Sequence, residues 1–186
     1  MATLEIVQVG DPVLRAQARP LTLEELASPR IQKLIVDMRD TMRAAPGVGL
    51  AAPQIGESIQ LVVIEDERAG VPFHVLANPT LTVRTHEIVA ELEGCLSFAT
   101  FEMVVPRPRK VRVEALDEHG QRVVKVGTGW YARILQHEVD HLHGVVCCDR
   151  MESRTLTTAA NYEKHWRGRT VDEVRAAVAL PPEPAS

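Results

Sequence analysis

The chain has 186 residues, 45% of them hydrophobic, enough for one domain with a sizeable core and against disorder. A formal net charge of -4 and an aromatic content of 4% argue against a general binder of DNA, RNA or anionic membrane, which needs a basic surface or stacking rings. The three cysteines, two of them adjacent (Cys147 and Cys148), argue against a disulfide framework. The absence of a long apolar run argues against a membrane span.

In chain order, Met1 to Gly10 has no basic n-region and reads as no signal peptide, so the expected setting is cytoplasmic, or organellar if a transit peptide has been removed. Ser28-Pro29 predicts a helix start, and Ile31, Leu34, Ile35, Met38 and Met42 continue it to Ala45-Pro46-Gly47. Leu61 to Ile64 predicts a buried strand. Phe73 to Ala77 predicts a second, stopped by Asn78-Pro79. Alternation at Val111, Val113 and Ala115, the turn Asp117 to Gly120, and Val123 to Val126 predict a hairpin. Gly127-Thr128-Gly129 then breaks the strand pattern. Tyr131 to His143 predicts a helix with apolar Ile134, Leu135, Val139 and Leu142, closed by Gly144. Val171 to Leu180 predicts a last helix before a frayed Pro181-Pro182-Glu183-Pro184 tail. Short strands between flanking helices indicate an α+β fold in a single domain over residues 1–186.

The chemistry is carried by Gln136-His137-Glu138-Val139-Asp140-His141. Residues four apart on a helix share a face, so His137 and His141 can reach one ion, with Glu138 beside it to take a proton from water. An HExxH string can also be a polar helix face, but here apolar neighbours bury it, and two half-buried histidines without a shared partner are costly. His143 falls off that face and reads as a surface residue near the helix end. Asp140 either orients a ligand histidine or is a solvated or Arg-paired charge. A catalytic ion needs a third protein ligand, and two cysteines compete. Cys95 follows a glycine between apolar stretches. Cys147 stands in a His-Glu-x-x-His-x-x-Gly-x-x-Cys register like that of metzincin proteases, although Val145 to Cys148 also reads as a buried strand.

Three blocks resemble peptide deformylases: Gly47-Val48-Gly49-Leu50-Ala51-Ala52-Pro53-Gln54, Glu93-Gly94-Cys95-Leu96-Ser97 and Gln136 to Gly144. Their order and separation fit too, from about Val7 to Met151, which makes residues 7–151 the expected core and 152–186 a C-terminal extension. The resemblance implies small antiparallel sheets around a central HExxH-bearing helix. It also implies a metal-dependent hydrolase that removes the formyl group from N-formylmethionyl nascent chains. It carries the metal ligands onto Cys95, His137 and His141, the acid/base onto Glu138, and oxyanion binding onto the Gln54 amide and the Leu96 N–H. It implies that the segment around Val48 and Gly49 pairs with the substrate backbone and that Glu93 pairs with Arg107. Val48, Leu96, Trp130 and Ile134 are the expected walls of the methionine pocket. The divalent ion expected in the cell is Fe2+, with Zn2+, Ni2+ and Co2+ also suited to the donor set.

The chain departs from many bacterial members at Phe98-Ala99-Thr100-Phe101, and at Glu102, where some members carry a substrate-touching arginine. Asp149 to Thr155 looks more like the organellar branch. Some bacterial members touch the ribosome through their extension; here Lys164, His165, Arg167 and Arg169 read first as a solvated basic face. The alternative reading is an HExxH zinc endopeptidase with Cys147 or a downstream acid such as Glu163 as third ligand.

Overall fold

A computed structural model of the chain describes residues 3–45 and 47–179. The Thr22 hydroxyl and the Glu25 carboxylate cap a short helix, α1 (Leu23–Ala27). Ser28 Oγ then accepts from the Ile31 N–H to start α2 (Pro29–Ala44), whose buried face is Ile31, Ile35, Met38 and Met42. Strands follow: β1 (Gly49–Ala51), β2 (Leu61–Asp66), β3 (Val71–Val83), β4 (Ile88–Gly94), β5 (Phe101–Pro108), β6 (Lys110–Leu116) and β7 (Arg122–Thr128). The HExxH helix is α3 (Trp130–Leu142). After it come β8 (Thr157–Thr158), one turn of α4 (Ala159–Asn161) and α5 (Val171–Ala177), capped by Thr170.

Two antiparallel sheets result, one with the order β1-β2-β3-β6-β7 and one with the order β4-β5-β8. The unbroken apolar run of β2 is explained by burial on both faces. Leu61 and Val63 pack with Val75 and Ala77 against the α2 side chains. Val62 and Ile64 pack with Leu76, Val111 and Val113 against Ile134, Leu135 and Leu142 of α3. On its other side α3 meets the small sheet: Arg133 donates to the Val105 carbonyl and Gln136 to the Pro108 carbonyl. The histidine-bearing helix is therefore wedged between the sheets, with its side chains fixed from both directions.

Several local expectations need correction. The second strand does not stop at Asn78-Pro79 but runs to Val83 through a register shift between Ala77 and Thr80. Asn78 sits at φ +50 and its side-chain amide bonds both the Leu21 N–H and the Leu21 carbonyl, so the bulge keeps its polar groups satisfied. Val145 to Cys148 is no strand: Cys147–Asp149 forms a single tight turn, with the Asp149 carboxylate accepting from the Val146 N–H. Strand β5 escapes a sequence reading because of Pro106 and Pro108. The structure tolerates them because β8 covers only Phe101 and Glu102, leaving an open edge beside the prolines. The last helix ends at Ala177; Leu180, the proline tail, Pro46, Met1 and Ala2 lie outside the described residues.

Candidate metal centre and catalytic cleft

Residues from two places far apart in the chain converge beside the middle of α3. The rings of His137 and His141 stand 4.9 Å apart between centroids, and their Nε2 atoms are 3.3 Å apart. Cys95, just beyond the end of β4, brings its Sγ to 3.4 Å from His141 Nε2. One ligand atom from each of these three residues lies within 4.8 Å of the others. Ligand bonds of about 2.0–2.1 Å to nitrogen and about 2.3 Å to sulfur at tetrahedral angles put donors roughly 3.4–3.6 Å apart. The spacing and the donor chemistry therefore fit a single divalent cation. Cys147 does not join this group. It packs with Met103 and Val105 behind Cys95. Glu163 is half-exposed and paired with Arg167 at 2.7 Å.

The orientation of His137 is set by Glu93, not Asp140. His137 Nδ1 lies 3.2 Å from a Glu93 oxygen, which leaves Nε2 for the centre. Asp140 instead bridges Arg107 and Arg150. Glu93, only 4% exposed, is also held by Arg107, as expected, and by Arg133 at 2.6 Å. Burial pushes its carboxyl up, but His137 and Arg107 outweigh this and hold it well below the ordinary carboxylate range. For His137 burial opposes protonation, and the Glu93 and Glu138 carboxylates overcome it. Burial, helped by the neighbouring His137, pushes His141 the other way, toward the neutral ligand form. Arg133 was missed by the sequence reading. Its only signal is an arginine one turn before His137 on a helix that is otherwise buried.

Glu138 is 4% exposed, and burial pushes its carboxyl up to about 7 against the pull of His137 and Arg107. Its space is created by Gly49: a Cβ there would stand 2.2 Å from Glu138 Oε1. Gln54 is buried and its amide is oriented by its neighbours. The carbonyl oxygen accepts from the Ala51 N–H at 2.8 Å, so the NH2 group points at Cys95 Sγ, 3.7 Å away. The Cys95–Ser97 loop is strapped by the N-terminal segment. Gln8 Nε2 donates to the Leu96 carbonyl at 3.0 Å and the Val9 N–H donates to the Ser97 carbonyl at 2.7 Å. Gln8 is a second residue without a local sequence signal. The adjoining Cys147 thiol and burial push the Cys95 thiol up.

A cleft of about 590 Å3 opens from this centre. Val48, Gly49, Leu96, Trp130 and Ile134 all line it, so the expected pocket residues do share one wall system. Ile134 is 3% exposed, whereas Trp130 is 43% exposed and is pinned by its Nε1 donating to Asp66 at 2.8 Å.

Fold and site together define a metal-dependent hydrolase built on an HExxH helix. The profile described as polypeptide deformylase matches residues 3–156. Peptide deformylase 3 of Streptomyces avermitilis is 43% identical, over 96% of this chain and 85% of its own. The human mitochondrial peptide deformylase is 39% identical, over 82% of this chain and 69% of its own. The crystal structure of the Thermotoga maritima peptide deformylase superposes with a TM-score of 0.76 at 35% identity, over 82% of this chain and 99% of its own. The chain belongs to the polypeptide deformylase family.

Proposed function

We propose that this enzyme removes the N-formyl group from N-formylmethionyl nascent polypeptides, releasing formate, with Cys95, His137 and His141 holding the cation. The observation that carries this reading is the convergence of one thiol and two imidazoles beside a buried glutamate in a chain of this family. The bound cation supplies Lewis acidity, polarising a carbonyl and making water a better nucleophile at neutral pH. Glu138 takes the proton of the attacking water and returns it to the leaving amine. The oriented Gln54 NH2 donates to the oxygen that becomes negative. The Leu96 N–H, which has no protein acceptor among the described residues, shares that duty.

The substrate enters as an extended strand. Both β1 and β4 are sheet edges, and the cleft runs between Gly47–Gly49 on one side and Glu93–Cys95 on the other. Val48, Leu96, Trp130 and Ile134 receive the methionine side chain. The ion in the cell is Fe2+, with Zn2+, Ni2+ and Co2+ as competent substitutes for this donor set. Residues 7–151 form the catalytic core and 152–186 an extension, a division supported by the end of the family match at residue 156. The exposed Lys164, His165, Arg167 and Arg169 are either a solvated face or a transient ribosome contact, and cosedimentation with ribosomes at low salt decides between them. No helix among the described residues is long and apolar enough to cross a membrane, and named relatives include chloroplastic and mitochondrial forms. Our reading is a cytoplasmic enzyme, or an organellar one after loss of a transit peptide.

The test is formate release from a formyl-Met tripeptide, with metal content measured on the same anaerobic sample. The expected result is turnover in proportion to bound metal. A fully metal-loaded protein that releases no formate would refute the reading.

A further inference from the structure

The two protein donors assigned to the developing negative charge, the Gln54 amide and the Leu96 N–H, lie on separate pieces of chain: the turn Ala52–Ile55 and the loop after β4. One short stretch of the N-terminal segment clips both. The Val7 N–H donates to the Gln54 carbonyl at 2.9 Å, and the Val9 N–H donates to the Ser97 carbonyl at 2.7 Å. Between them, Gln8 Nε2 donates to the Leu96 carbonyl at 3.0 Å, while Gln8 Oε1 accepts from the Ala99 N–H at 3.2 Å. A further bond from Nε2 to the Ile6 carbonyl, at 3.2 Å, braces the amide against its own segment. Gln8 is exposed and is not among the residues that line the cleft, so neither core packing nor substrate contact accounts for these bonds.

A backbone N–H has no side chain to aim it; its direction is that of its rigid peptide plane. The plane that ends in the Leu96 N–H begins at the Cys95 carbonyl, which accepts from the Phe98 N–H at 3.0 Å. The next plane begins at the Leu96 carbonyl, and the side chain that holds it is Gln8. Every carbonyl from Cys95 to Ser97 is thereby engaged. We propose that Gln8 is a positioning residue for oxyanion stabilisation: it holds the Leu96 N–H in register with the Gln54 amide so that both donors reach one oxygen. A donor counts only where the negative oxygen forms, so loosening this clip weakens the transition state and leaves the cation and the methionine pocket as they are. This rests on the formyl-peptide reading above.

The experiment uses two variants of the full chain. Gln8→Leu keeps the bulk and removes both donor and acceptor. Gln8→Glu keeps an acceptor for the Ala99 N–H and removes the donor to the Leu96 carbonyl, so it carries the test should the leucine variant fold poorly. Each is compared with the unaltered enzyme on formyl-Met-Ala-Ala, at matched metal content and below the thermal midpoint of every sample. Metal affinity is measured by chelator competition, and the thiolate and imidazole ligands are watched through the absorption bands of the Co2+-substituted protein. Both variants should lose about two- to tenfold in kcat, the worth of one hydrogen bond, with KM within about twofold. Metal affinity and the Co2+ bands should not move. Unchanged kcat in both variants would overturn the proposal. So would a loss accompanied by weaker metal binding or shifted Co2+ bands, which would assign Gln8 to the placement of the Cys95 sulfur, or a raised KM at constant kcat. Failure of the deformylase reading looks different: no formate from the unaltered enzyme in the first place.

Discussion

At the scale of single residues, the site depends on side chains whose surroundings leave them one job. Glu138 has no alternative partner for its second oxygen among the described residues, and burial keeps its proton affinity near neutrality, where an acid/base is most useful. Glu138→Ala should therefore lower kcat by about 10² to 10⁴ while bound metal stays the same; a loss under tenfold would remove the assigned role. Gly49→Ala should act through the same carboxylate, because the new methyl would occupy the place of Glu138 Oε1. Its kcat should fall while metal is retained, a pattern read from steady-state kinetics beside metal analysis. Glu93 has a different character. It neutralises Arg107 and Arg133 in a site where all three side chains are at most 4% exposed. Replacing it with Gln leaves buried Arg107 with only Asp140, which is shared with Arg150, and buried Arg133 with only the exposed Glu91, and urea unfolding of the metal-free protein should show a loss of about 3–5 kcal/mol.

At the scale of elements, β4 and α3 have to be held in register for sulfur and imidazole to meet. That register is held by the continuous pairing of β4 with β5 and by the ion pairs of Arg107 on β5 with Glu93 on β4 and Asp140 on α3. Cys95→Ala should abolish metal retention, whereas Cys147→Ala should leave metal in place and cost only packing. The opposite pattern would revive the Cys147 ligand set. Proton release gives an independent check. In the metal-free protein the Cys95 thiol is pushed up and keeps its proton at neutral pH, so binding as a thiolate must expel that proton. Affinity should therefore rise with pH, by about tenfold per unit from the thiol alone, and more steeply at lower pH where His137 is also protonated. Chelator competition across about pH 6 to 8 measures the slope. A flat profile would mean that no proton-bearing ligand takes part.

At the scale of the whole molecule, the centre ties the three-stranded sheet, through Cys95 beyond β4, to the helix wedged between the two sheets. A cation bound only by the folded state stabilises by mass action, by about 2.7 kcal/mol at a hundredfold excess over its Kd. Stripping the metal should lower the thermal midpoint by roughly 5–10 °C in a chain of this size, and readdition should restore it. Differential scanning calorimetry of both forms checks this; equal midpoints would place the cation away from the core.

Much of the architecture was readable from local pattern. The Ser28-Pro29 start, the apolar spacing of α2, the doubly buried β2 and the HExxH helix are all decided by neighbours within a turn or two, where periodicity reports which face is buried. The motif blocks also pointed to Cys95, His137 and His141. What the chain alone left open was Cys95 or Cys147 as the sulfur and whether Asp140 orients a histidine or pairs with an arginine; nothing local marks Glu93 as the group behind His137 or fixes the direction of the Gln54 amide. Those depend on partners far away in sequence, 46 residues for Cys95 and His141 and 44 for Glu93 and His137. Only the pairing register of β4 with β5 and the wedging of α3 between two sheets bring such groups within bonding range. A distance of that kind is set by packing, which no short window of residues encodes.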